Sequence, residues 1–151
     1  MRDLPARPIT PEEKAELAHA TDWINDVLER GFRSKIRLTG SSADISTLHS
    51  LLSKGPFSAD AAAELTAFGT VFGEILASEV PMRWVVYQDE AGTDFALQYR
   101  DLALFVFPCD MILKRVEEGE AVDHINLATI LSEVREKIQS EAPNAAKLPV
   151  Q

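Results

Sequence analysis

Cysteine occurs once in the 151 residues, at Cys109, so no internal disulfide can form and a reducing compartment suits the chain. Long apolar runs are missing: no window approaches the roughly 18 consecutive residues of a membrane-spanning helix. Met1 to Pro11 is mixed in charge and broken by proline, without the apolar core of an export signal. The expected location is the cytoplasm, away from a membrane. Basic residues are in the minority. Fifteen Lys and Arg stand against 24 Asp and Glu, a formal charge of −9, whereas binding a phosphate backbone needs clustered Lys and Arg. Nucleic acid is therefore not an expected partner. The acidic balance serves solubility first and a basic protein partner second.

Catalytic signatures are absent as well. His19, His49 and His124 show neither H-x-x-x-H nor H-E-x-x-H spacing, and a lone cysteine cannot build a thiolate zinc site. There is no G-x-S-x-G elbow, no phosphate-binding G-x-x-x-x-G-K-[ST] loop and no G-x-G-x-x-G. No cofactor, metal site or catalytic residue is expected.

What is present is an ordinary globular composition, 46% apolar and 26% charged, in a chain of one-domain length. Residues 1–9 lack an apolar period and read as an arm. Thr10-Pro11-Glu12-Glu13 spells a helix start with a capping box, and Leu17, Ala20, Ile24, Val27 and Leu28 follow at helical spacing up to Gly31. Between Phe32 and Ser42, alternating Ile36 and Leu38 suggest a short strand. A second helix is expected from about Asp44 to Gly55-Pro56. A third, capped by Ser58, carries Leu65, Phe68, Phe72, Ile75 and Leu76. Within it Gly69 and Gly73 lie one turn apart on one face. Each costs on the order of 1 kcal/mol against alanine, which makes sense where a backbone or a large ring packs close.

Three strands follow: Met82–Tyr87, Phe95–Tyr99 after an Asp/Gly turn, and Leu102–Phe107 ended by Pro108. A helix from Cys109 or Asp110 to Glu118 and a last one from near Asp123 to Ala142 complete the order, and 143–151 reads as a frayed tail. The expected fold is α+β: a three-stranded antiparallel meander packed with about five helices, the N-terminal helices first, in one domain over 10–142. The first and third strands are apolar on both faces. Both sides of the sheet should be covered, by helices of the chain or by a second copy.

Four places hold residues that could carry chemistry. Cys109 sits where a strand gives way to a helix, and a helix N-terminus stabilises a thiolate, although Asp110 beside it opposes that and a small core hydrophobe is the plainer identity. Asp89, Glu90 and Asp94 ring Gly92 as calcium ligands do, but the twelfth residue from Asp89 is Arg100, so the calcium-loop pattern fails. Lys114 and Arg115 form an adjacent basic pair near a sheet end, with Glu117 and Glu118 in helical reach of Lys114. Glu74 lies one residue from an apolar stripe and could pair with Lys114 or Arg115. Glu74, Asp89, Lys114 and Arg115 together form the candidate binding cluster.

The succession Phe72-Gly73-Glu74, Trp84-Val85-Val86, Asp89-Glu90-x-Gly92-Thr93-Asp94, Phe107-Pro108 and Met111-Ile112-x-Lys114-Arg115-Val116-Glu117-x-Gly119-Glu120 resembles a bacterial domain family of unknown function. The likeness covers about residues 65 to 130. It implies a bacterial origin and a shared fold, and it transfers no catalytic residue. The expected role is a non-enzymatic protein-interaction or adaptor module that binds a protein partner or pairs as a homodimer. Two other readings stand beside it, an immunity-like inhibitor of a basic toxin and a small hydrolase using Cys109.

Overall fold

In the computed structural model, which describes residues 5–55, 57 and 60–150, the first helix starts as its sequence dictates. Helix α1 (Pro11–Asp26) is capped by Thr10, whose hydroxyl accepts from Glu13 N (3.1 Å) while the Glu13 carboxylate accepts from Thr10 N (2.9 Å). Arg7 also donates twice to that carboxylate, both at 2.8 Å. The Arg7 guanidinium and then the cap hold the Glu13 carboxyl down at about 2. The helix unwinds through a π-helical turn, Val27–Gly31. The strand expected near Ile36 does not pair, and the chain runs on to helix α2 (Asp44–Lys54). Buried Asp44 orders that entry, accepting from Thr39 N (2.8 Å) and Gly40 N (2.7 Å). Helix α3 (Ala62–Glu79) follows; its expected cap Ser58, and Pro56 before it, lie outside the described residues.

Among the described residues the sheet has four antiparallel strands in the order β1 (Ala6–Pro8), β2 (Met82–Asp89), β3 (Gly92–Tyr99), β4 (Phe105–Val106). The expected meander of three gains β1 from the segment read as an arm, where Ala6 pairs with Tyr87 and Pro8 with Val85. Prolines at positions 5 and 8 suggested no strand, yet an edge strand tolerates proline because one row of its donors goes unused. At the other edge β4 is shorter than the apolar run implied. Helix α4 (Met111–Glu117) comes after a 3₁₀ turn, Pro108–Asp110, and Gly119 beyond it takes a φ of +105°. Helix α5 (Leu127–Glu141) starts later than the sequence suggested: Val122–His124 forms a 3₁₀ turn, and Asn126 caps the helix by accepting from Thr129 N (3.1 Å).

The two sheet faces are covered differently. Met82, Trp84, Leu97 and Val106 join the main core with α2, α3 and α5. On the opposite face Ala6, Val85 and Ala96 pack beneath Val150, flanked by Tyr87, Phe105 and Phe107. Cover is intramolecular, but the second layer comes from the C-terminal segment rather than from helices. That segment, expected to fray, is held by Ala103 N to Ala146 O and Leu148 N to Asp101 O, both 2.7 Å. Fully buried Gln98 donates to Leu102 O (2.9 Å) and Leu148 O (2.8 Å), and Arg83 donates to Val150 O. The bonds to residues 146–150 join partners far apart in sequence, so no local pattern announces them.

The two glycines of α3 answer to a backbone and a ring. A Cβ on Gly69 would run into the carbonyl oxygens of Pro108 and Cys109, the latter at 2.6 Å, and one on Gly73 would meet the Trp84 ring at 2.6 Å. Gly69→Ala therefore forces backbone apart, and its cost exceeds the helix-propensity gain of about 1 kcal/mol. Urea denaturation should show Gly69→Ala destabilised by about 2 kcal/mol, and Gly73→Ala by less, because side chains can shift where backbone cannot. Equal or greater stability of Gly69→Ala would contradict the close contact.

Candidate functional site

The β2–β3 hairpin closes at Asp89, paired with Gly92, which takes the φ of +131° that the turn requires. Asp89 Oδ1 accepts from Ala91 N (2.9 Å) and stiffens the bend. Alternation along β2 then puts Tyr87 and Asp89 on the face turned away from α3. Tyr87 is opposite Asp94 in the register, and Phe105 is opposite Gln98, so these side chains share that face. Tyr87 meets Phe105 and Phe107 edge-on, with ring centroids 5.0 and 5.4 Å apart, and all three rings are half-buried. Beyond Phe107 the turn at Pro108 carries the chain into α4, which brings Lys114 and Arg115 alongside.

Two adjoining grooves result. One, of about 320 Å³, is lined by Tyr87, Asp89, Thr93, Asp94, Phe107 and Lys114 among others. The second, of about 450 Å³, shares Phe107 and Lys114 and continues over Met111, Arg115, Glu118 and Glu120. Asp89, Lys114 and Arg115 of the candidate cluster therefore border one continuous surface. Glu74 does not. It accepts from the Trp84 indole N–H (3.0 Å) on the helix-covered face, an anchor for the ring that Gly73 makes room for. Arg115 pairs instead with Glu133 (3.2 Å) and Glu120 (3.8 Å), and Lys114 acts on Asp94 while making no ion pair with Glu117 or Glu118 among the described residues.

Asp94 holds its proton to higher pH than an ordinary carboxyl. Partial burial is the main cause, the nearby Asp110 carboxyl adds to it, and the Phe95 N–H and Lys114 oppose it. The same carboxyls act on Cys109. Burial, then Asp94 and Asp110, push its thiol up to about 11, against a hydrogen bond with Thr70. Cys109 as a whole is 8% exposed, and its sulfur lies 3.3 Å from Thr70 Oγ1. Among the described residues no histidine hydrogen-bonds the sulfur. His19 borders a separate groove of about 360 Å³ between α1 and α3, beside Trp23 and Thr70. A buried thiol that stays protonated at neutral pH is a poor nucleophile, which counts against the hydrolase reading. Among the described residues no group of three or more His, Cys, Asp or Glu is placed to hold a metal ion, and no helix is long and apolar enough to cross a membrane.

Tyr87 and Phe107 were not among the expected site residues. Their signal was present, since Tyr87/Asp89 and Phe105/Phe107 repeat at the two-residue period that puts neighbours on one strand face. Asp94 and Asp110 were visible only as a turn acid and a helix-start acid. Their proximity comes from folding.

The family model described as "Domain of unknown function (DUF3806)" matches residues 44–127. That span includes both grooves and α3. No curated protein matches the chain. A crystal structure from Bacteroides thetaiotaomicron VPI-5482 is similar at 18% identity with a TM-score of 0.68, over 95% of this chain and 49% of that one. The likeness shows a common fold, and the chain spans about half the length of that relative.

Because the folded carboxyl of Asp94 keeps its proton to higher pH than the unfolded one, stability falls as pH rises through the interval between the two values. Asp94→Asn removes that loss. Thermal unfolding should show the variant gaining on the native chain between about pH 2, where the carboxyl is neutral both folded and unfolded, and about pH 7. A pH-independent difference would contradict the raised value.

Proposed function

We propose that this chain, which belongs to the DUF3806 family, is a protein-interaction module whose contact surface is the pair of grooves at the hairpin end of the sheet. The observation that carries the reading is the Tyr87–Phe105–Phe107 ring cluster, half-buried and continuous with Lys114 between the two grooves. Aromatic side chains fixed by edge-on neighbours supply apolar contact area at small conformational cost, and tyrosine is enriched at binding hot spots. Lys114 and Arg115 on one side, with Asp89 and Asp94 on the other, give the surface both signs of charge. Such an arrangement selects orientation more than it adds affinity. The Cys109 thiol lies buried and protonated behind the rings rather than open to the grooves.

Affinity purification of the tagged chain from its native cells, read by quantitative mass spectrometry, tests the proposal. At least one protein should be enriched by the native chain and depleted about tenfold, or 1.4 kcal/mol, by Phe107→Ala and by Lys114→Glu. Glu136→Gln, on α5, should retain it. An identical set of partners for all four chains, or none for any, would remove the support.

A further inference from the structure

Four of the chain's 15 basic residues fall between Arg30 and Arg37, with no acidic residue among them. The two large hydrophobic side chains most open to solvent among the described residues, Phe32 (43%) and Ile36 (55%), lie in the same stretch. Arg30 is paired with Asp26 (2.9 Å) and Arg37 with Glu29 (3.0 Å), whereas Arg33 and Lys35 have no ion-pair partner among the described residues. An otherwise acidic molecule thus presents a local basic and apolar strip, and it lies outside the residues that the family model matches.

The backbone of this strip pairs with no strand among the described residues. After the left-handed residue Arg33 (φ 51°), the chain runs from Ser34 to Thr39 without turn or bend. Two of its amides reach the preceding helical segment, Ser34 N donating to Leu28 O (2.8 Å) and Leu38 N to Asn25 Oδ1 (2.9 Å), while Ile36 N donates within the strip to Ser34 Oγ (3.1 Å). Of the residues between and after them, Thr39 N donates to Asp44 (2.8 Å). Lys35 and Arg37 have no hydrogen bond on either N–H or C=O among the described residues. In an extended chain the N–H and C=O of one residue point to the same side, and residues two apart repeat it, which is the pattern an antiparallel neighbour reads. The segment that the alternation of Ile36 and Leu38 marks in the sequence thus leaves the N–H and C=O groups of Lys35 and Arg37 open among the described residues.

We infer that Ser34–Thr39 is a docking strand for an extended, acidic segment of a partner protein, which pairs with the open N–H and C=O groups of Lys35 and Arg37. Carboxylates of that segment meet Arg33 and Lys35, and an apolar side chain covers Ile36. Backbone pairing supplies affinity in this mode of recognition, and alternate side chains supply selectivity. A bilayer fits less well, because lipid tails offer nothing to the two open amides. The strand shares no residue with the sheet-end grooves, so its failure leaves the reading of those grooves unchanged.

The probe is a fluorescent peptide of about six residues alternating Glu and Val, the length of an ordinary strand. Anisotropy should show binding that weakens with salt and drops about tenfold or more in Lys35→Glu and in Lys35→Pro, which removes one open donor. Circular dichroism checks that both variants stay folded. Amide exchange of the native chain should slow at Lys35 and Arg37 when the peptide is added. No binding by the native chain, equal binding of a Lys–Val peptide, or protection elsewhere would overturn the inference. So would tighter binding to phosphatidylserine vesicles, or a self-association that both variants abolish, which would make the occupant a bilayer or a second copy.

Discussion

Helix α3 meets the Pro108–Cys109 backbone with no side chain between them, and most of the architecture follows from that contact. Two glycines one turn apart allow it: Gly69 faces the two carbonyls and Gly73 faces the Trp84 ring. The indole is then locked by its bond to Glu74, which fixes β2 against the helix. With the turn at Pro108 seated on α3, the chain leaves β4 in one direction only, and α4 must begin beside the hairpin end of the sheet. The placement of Lys114 and Arg115 next to Phe107 is a consequence of how close two backbones come.

The same seating explains the state of the thiol. Cys109 belongs to the segment pressed onto α3, so its sulfur is directed into the protein toward Thr70, while Asp94 and Asp110 gather on the groove side. The position at a helix start, which in isolation favours a thiolate, is outweighed by burial and by two carboxyls of the wrong sign. The surface that results presents rings, cations and carboxyls, with the thiol behind it.

Much of the fold could be read from local chemistry. Thr10 to Glu13 specified both halves of a capping box, the spacing of Gly69 and Gly73 announced a close approach, and Gly92 marked the hairpin. The errors fall where structure is made by distant partners. Ala6–Pro8 is a strand only because β2 offers an edge, and Ala146–Val150 is ordered only because Gln98, Arg83 and the Asp101–Ala103 backbone receive it. Neither segment carries a periodic signal of its own. At the candidate site, Asp89, Lys114 and Arg115 could be placed near a sheet end from order alone. Glu74 could not, since whether a carboxylate on a helix faces a lysine or an indole depends on the packing of the sheet.

The claim that the α3 contact organises the hairpin end is tested most directly by native-state amide hydrogen exchange, followed residue by residue with increasing denaturant. If the contact governs both sides, the amides of Phe68 to Ile75 and those of Ile112 to Val116 open in one cooperative event with one free energy and one denaturant dependence. Separate opening of α4, at lower free energy and while α3 and Trp84 stay protected, would contradict it.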